Sequence, residues 1–196
     1  MKNGSHKKAS LFKKPLIRSA DARAAGIHPA MLSYYEKQGL LERIGRGLYR
    51  NNQVEFDVTF EWEDLVNLVL SIPQGVVTGI SALALYELTE EIPRLHWIAV
   101  PNDTSSSKRP NVKIVRLRDH KLGITKIKIG DAEVPIYDLE RTLVDAFRLL
   151  SVEAAIKALK EAFKPHRKQK PDLKKLADYA KKLRVKINPY LLMVTT

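Results

Sequence analysis

The 196-residue chain contains no cysteine. That absence excludes a disulfide framework, a thiolate zinc site and a cysteine nucleophile, and it is compatible with a reducing compartment. No run of 18 apolar residues occurs, so no transmembrane helix is expected. Lys2, Lys7, Lys8, Lys13 and Lys14 precede no apolar segment of the kind a secretory signal needs, which points to a soluble cytoplasmic protein. The five histidines, at positions 6, 28, 96, 120 and 166, are scattered without the close spacing of a zinc site. No glycine-rich phosphate loop of the Walker or Rossmann kind is present. Neither a metal nor a cofactor is therefore expected.

What is present is close to globular averages, with 44% hydrophobic and 29% charged residues, so wholesale disorder and fibrous repeats are excluded. The length suits one large domain or two small ones. Charge is the informative quantity. The net +12 divides into +7 over residues 1–55, −3 over 56–150 and +8 over 151–196. A mildly acidic middle between two basic ends fits either polyanion-facing surfaces or solvated helical faces.

Residues 19–50 carry the sharpest local signal. Ser19 suits an N-cap, Ala20 to Ala25 a short helix, and Gly26 its end. Pro29 suits the first turn of a second helix that runs to Gln38 and stops at Gly39. At 100° per residue, His28, Met31, Leu32 and Tyr35 share one face of that helix, and the spacing predicts that this face packs inward. Ala30, Ser33, Tyr34 and Lys37 share the opposite face, whose small, hydroxylated and basic side chains suit a DNA groove. Leu40 to Ile44 and Leu48 to Arg50 then predict two strands joined by the tight turn Gly45-Arg46-Gly47. A helix pair followed by a hairpin with arginine at its tip is a winged helix-turn-helix pattern. The DNA-binding set is then Pro29, Ala30, Ser33, Tyr34 and Lys37 on the helix, Arg43 and Arg46 on the hairpin, and Lys7, Lys8, Lys13, Lys14 and Arg18 on the flanking phosphates. The alternative is a small helical domain whose hairpin serves only packing.

Ala22-Arg23-Ala24-Ala25-Gly26-Ile27, Leu32, Gly39-Leu40-Leu41-Glu42-Arg43 and Gly47-Leu48-Tyr49 together resemble the N-terminal winged helix of the abortive-infection E antitoxin family. Two later motifs extend the resemblance. Thr78 to Thr89 with Ile92-Pro93 is similar to a serine-alanine-leucine stretch of that family, with Glu87 standing where glycine is usual. Val134 to Asp145, containing Glu140-Arg141-Thr142-Leu143 and Asp145, is similar to the family's conspicuous helix motif. The resemblance covers roughly residues 15–165.

The rest of the chain predicts an α+β fold. A winged helix-turn-helix over residues 1–55 is followed, over 56–196, by a larger mixed α/β domain with a mainly antiparallel sheet and a C-terminal helical extension. Asn51-Asn52-Gln53 suits a linker between the two. Helices are expected over 59–72, from Ser81, over 139–150 and over 152–163, and strands over 97–100, 112–117, 124–129 and 133–137. Ser81 suits the cap or opening of its helix better than a nucleophile elbow, whose second glycine is missing. Arg141 precedes Asp145 by four residues and suits an intrahelical ion pair. Asp172 caps a last helix with leucines and alanines on one side. Its lysines Lys174, Lys175, Lys181 and Lys182, with Arg167, Lys168 and Lys170 in the preceding loop, form a basic surface that suits either solvation or a second polyanion contact.

The resemblance implies an antitoxin of a type IV toxin–antitoxin system with no catalytic residues. Such a protein represses its own operon by binding double-stranded operator DNA at inverted repeats. It also counteracts a nucleotidyltransferase-like toxin, for which direct binding is not required. Two other readings of the residues stay open: a winged-helix transcription factor whose α/β domain senses a ligand, and a metal-dependent nuclease using Asp131 and Glu133.

Overall fold

In the computed structural model, which describes residues 10–57, 60–105 and 109–195, the architecture is α+β. The chain divides into two compact units, one of Met1–Pro73 with Ile127–Val134, the other of Gln74–Lys126 with Pro135–Thr196. Among the described residues no helix is long and apolar enough to cross a membrane.

The first unit begins with strand β1 (Leu16–Arg18), helices α1 (Ser19–Ala24) and α2 (Pro29–Lys37), and the hairpin β2 (Leu41–Gly45) and β3 (Leu48–Asn51). The three strands form an antiparallel sheet in the order β1-β3-β2. Its core gathers one or two residues from each piece: Leu11, Ile17, Ala22, Ile27, Leu32, Leu41 and Tyr49. Gly26 reverses the chain between the helices at φ 76°, a conformation that costs other residues about 1–2 kcal/mol. The reversal brings the Ile27 N–H to the Ala22 carbonyl at 2.8 Å. Helix α3 (Phe60–Ser71) packs against β2 and β3, with Leu65, Val66 and Val69 buried at helical spacing.

Asn51, expected in a linker, is instead a buried structural residue, 2% exposed. Its side-chain amide donates to the Phe12 carbonyl at 2.7 Å, its Oδ1 accepts from the Gln53 N–H at 3.1 Å, and its own N–H donates to the Pro15 carbonyl at 2.8 Å. A polar side chain can be buried at a strand end when it satisfies backbone groups that no ladder reaches.

The five strands that follow form a second sheet, of order β6-β5-β4-β8-β7. Its strands are β4 (Val76–Val77), β5 (His96–Pro101), β6 (Val112–Leu117), β7 (Ile124–Ile129) and β8 (Ala132–Tyr137). The sheet is mixed, where a mainly antiparallel one was expected. Strand β4 runs antiparallel to β5 but parallel to β8, and β5 runs parallel to β6. The chain between Pro101 and Val112 is long enough to return to the starting end of β5, so adjacency in sequence did not impose a hairpin.

Helices α4 (Gly79–Leu85), α5 (Leu139–Leu149), α6 (Val152–Ala162), α7 (Leu173–Leu183) and α8 (Asn188–Thr195) complete the second unit. Asp138, Ser151 and Asp172 cap α5, α6 and α7 through side-chain oxygens. Leu83, Leu143, Leu159 and Leu176 meet in one core, each contributing about 1.5–3 kcal/mol by burial. Gly79 permits a close approach, since a Cβ there would lie 2.4 Å from the Trp97 ring. Ser81 does not cap α4. It is fully buried and accepts the Trp97 N–H at 2.9 Å, tying the helix to β5 and leaving no hydroxyl for nucleophilic work.

The deepest polar feature is Arg141, fully buried and paired with Asp145 at 2.7 Å. Its Nη1 donates to the Asp119 and Leu122 carbonyls, both at 3.0 Å, and the guanidinium lies 4.6 Å from the centre of the Tyr137 ring. Arg148 holds the other Asp145 oxygen at 2.7 Å. Glu87 follows the end of α4 with φ 54°, a left-handed backbone that glycine adopts at no steric cost.

Two stability measurements follow. Replacing Arg141 by Leu leaves Asp145 Oδ2 and two loop carbonyls without their donor in the interior, and urea unfolding should show a loss of at least about 3 kcal/mol. Glu87→Gly relieves the left-handed strain, and the same measurement should show a gain of about 1 kcal/mol.

Candidate nucleic-acid interface

Helix α2 starts where proline fixes the first turn and the His28 side chain caps it, with Nδ1 accepting the Ala30 N–H at 3.2 Å. This capping role places His28 at the exposed helix start, off the inward face on which the 100° projection put it. Met31 is likewise outside the core, 42% exposed, leaving Leu32 as the buried anchor and Tyr35 as its half-buried neighbour. A nine-residue helix lying on a small core cannot bury a stripe as wide as the periodicity allows.

The opposite face is open. Pro29, Ala30, Ser33, Tyr34 and Lys37 are all exposed, as are Arg43 and Arg46 on the hairpin and Lys13 and Lys14 before β1. Tyr34 stands at the outer end of an aromatic ladder. Its ring is edge-on to Tyr35 at 5.7 Å, and Tyr35 is edge-on to Phe12 at 5.2 Å. That ladder holds an exposed phenol in one place at little entropic cost.

Arg46 occupies the hairpin turn between Gly45 and Gly47, and the turn is tethered. The Ser19 N–H donates to the Gly47 carbonyl at 2.8 Å, so the start of α1 and the hairpin tip are held together. Gly47 adopts φ 70°, and a Cβ there would lie 3.4 Å from the Ser19 hydroxyl. Ser19 therefore secures the hairpin from the first position of its helix, where Arg18 stands at the N-cap.

Arg18 itself is engaged. Its Nε donates to Asp21 Oδ2 at 2.9 Å and its Nη2 to Oδ1 at 3.3 Å, a fork across the first turn of α1. Lys7 and Lys8 lie outside the described residues. Strand β1 and the clamp formed by Asn51 were missed by sequence reasoning. Three residues between Pro15 and a helix are too few to show alternation, and an asparagine in a polar triplet resembles any loop asparagine.

In the second unit, Lys168, Lys170, Lys174, Lys181 and Lys182 are exposed. Arg167 and Lys175 do not belong with them. Arg167, its side chain 14% exposed, donates to the Glu87 carbonyl and pairs with Glu87 and Glu161. Lys175 bridges Glu140 at 2.8 Å and Asp138 at 3.2 Å. Burial alone would raise the Glu140 carboxyl, but hydrogen bonds from Lys175 and the Asp172 N–H outweigh it and hold it below the ordinary glutamate range. Both cations are paired within the chain because each lies beside acceptors that are contributed by distant parts of the sequence. No sequence window displays such acceptors.

The carboxylates of the nuclease reading are differently employed. Asp131 Oδ2 accepts the Asp57 N–H at 3.2 Å, and the Asp131 N–H donates to the Asp57 carbonyl at 3.0 Å. Among the described residues no group of three or more histidines and carboxylates is arranged to hold a metal.

With this geometry in place, residues 9–52 match the family of transcriptional regulators described as AbiEi antitoxin. The match spans α1, α2 and the β2–β3 hairpin with its tether and ends just beyond Asn51. No curated protein matches the chain. Replacing Asn51 by Ala removes the amide that holds Phe12 and Gln53, and thermal or urea unfolding should register a loss of about 1–3 kcal/mol.

Proposed function

We propose that the chain is an antitoxin that represses its own operon, with residues 1–55 forming a winged helix-turn-helix that grips operator DNA. The observation that carries the reading is the pairing of an open polar face on α2 with a tethered arginine at the hairpin tip, inside the segment that matches an antitoxin regulator family. In this reading α2 enters the major groove. Ser33 and Tyr34 face base edges or sugar, and Lys37 sits where the groove wall brings phosphate close. Arg46 reaches an adjacent phosphate or the minor groove, and Lys13 and Lys14 add sequence-independent contacts.

The physical logic is division of labour. Phosphate contacts set register and supply most of the affinity, while the few groups at base edges discriminate sequence. The Ser19–Gly47 tether favours this arrangement, because an arginine on a fixed turn loses less entropy on binding than one on a loose loop. Arg18 contributes by holding α1 through Asp21 more than by touching phosphate. The second unit carries the neutralising role, directed at a nucleotidyltransferase-like toxin of a type IV system. Its exposed lysines offer a further electrostatic contact to nucleic acid.

Lys37→Ala combined with Arg46→Ala is the direct test. Both side chains are exposed, so circular dichroism should show an unchanged fold. Operator affinity, measured by fluorescence anisotropy, should fall about tenfold or more, and the slope of log affinity against log salt should shrink by roughly 1–2. Unchanged affinity in the double variant would remove the groove assignment.

A further inference from the structure

The second unit holds a cavity of ≈ 700 Å³ that none of the proposed DNA-reading residues of the first unit lines. It is lined by His120, in the turn that links β6 to β7. Only 5% of His120 is exposed, and neither ring nitrogen has a hydrogen-bond partner among the described residues. Backbone groups of Gln74 and Ala99 act on the ring all the same, opposing the fall in pKa that burial causes. Buried polar atoms are ordinarily satisfied, so an imidazole whose two nitrogens lack a well-formed hydrogen bond is an unusual polar feature of the cavity wall. Burial pushes its pKa below the usual histidine range, so the neutral ring offers one donor and one acceptor.

Three cations stand around this ring. Arg118, Lys121 and Lys182 line the same cavity and are exposed, and none of them makes an ion pair or hydrogen bond among the described residues. The loop that carries two of them is firmly held. Its carbonyls at Asp119 and Leu122 accept from Arg141, that of His120 accepts from the Tyr137 hydroxyl at 2.9 Å, and that of Gly123 accepts from the Asp138 N–H at 2.8 Å. Four inward-facing carbonyls pin the backbone, so the cation-bearing side chains start from a fixed frame. Such pre-organisation lowers the entropic cost of binding.

The lining also states what kind of anion fits. Asp103 and Asp119 contribute two carboxylates beside the three cations. That near balance disfavours a continuous polyanion. It suits a ligand with one phosphate-bearing end and a neutral polar remainder able to donate to carboxylates. The volume lies within the roughly 300–1,000 Å³ of small-molecule sites and far exceeds what a lone phosphate would fill.

We propose that this cavity binds a free nucleoside phosphate, its phosphate on Arg118, Lys121 and Lys182 and its neutral end against His120 and the two aspartates. The site belongs to the second unit and gives that unit a means of responding to a small molecule.

Isothermal titration of the full chain with the four nucleoside triphosphates, AMP, inorganic phosphate and a 5′-phosphorylated trinucleotide tests this. At least one free nucleotide should saturate a single site per chain, with an affinity about tenfold or more above that of inorganic phosphate. Arg118→Ala with Lys121→Ala should weaken it by about tenfold or more while leaving operator affinity unchanged, since charged hydrogen bonds of this kind are worth about that factor. His120→Phe, which preserves ring volume and removes both nitrogens, should weaken it as well. If that buried variant fails to fold by circular dichroism, the exposed double variant decides the matter. Absence of saturable binding, equal affinity for inorganic phosphate, or full affinity in the double variant would overturn the proposal. Tighter binding of the trinucleotide than of any free nucleotide would overturn the assignment to a free nucleotide.

Discussion

A guanidinium taken out of water must find acceptors for its donors, and Arg141 finds them for Nε and Nη1 by organising much of the second unit, while its buried Nη2 has no hydrogen-bond partner among the described residues. Its partners come from its own helix through Asp145, from the β6–β7 turn through the Asp119 and Leu122 carbonyls, and from the face of Tyr137. Tyr137 in turn donates to the His120 carbonyl, and its own carbonyl accepts from Tyr86 and Thr142. Desolvation at this depth pushes the Tyr137 and Tyr86 phenols well above the ordinary tyrosine range, so both remain neutral donors. The result is a network in which removing one member leaves several others unsatisfied, and such networks specify one arrangement of the chain over its near alternatives.

This network gives the motif around Glu140-Arg141-Thr142-Leu143 and Asp145 a physical meaning. Leu143 enters the helical core, and Thr142 bonds back to the strand that precedes the helix. Arg141 and Asp145 form the buried pair, and Glu140 receives the N–H of the residue that caps α7. All the polar members have structural employment, so the motif identifies a scaffold and not a reaction. Open polar side chains lie elsewhere, on α2 and at the hairpin tip.

The elements that the sequence announced are those whose signals are local. Pro29 and Gly39 bracket α2, Gly45-Arg46-Gly47 marks the hairpin, and Asp172 with leucines at helical spacing marks α7. What stayed hidden depends on partners far along the chain. The parallel pairing of β5 with β6 is invisible to strand propensity, which carries no direction. Asn51 differs from Asn52 only in what surrounds it. Lys175 and Arg167 were indistinguishable from Lys174 and Lys168 until Glu140, Asp138 and Glu87 were placed beside them. The +8 of the C-terminal stretch therefore overstated the free positive surface, whereas the cations of the first unit, apart from Arg18 and Arg50, stand clear of internal pairing among the described residues.

The account rests most heavily on the first unit being a sequence-specific DNA reader. The direct test is the affinity of the purified full chain for the DNA upstream of its own gene and for a scrambled duplex of equal length, across a range of salt concentrations. A strong preference for the upstream sequence, with affinity falling steeply as salt rises, is the predicted result. Equal and weak binding to both duplexes would contradict the account and leave its positive charge without a specific partner.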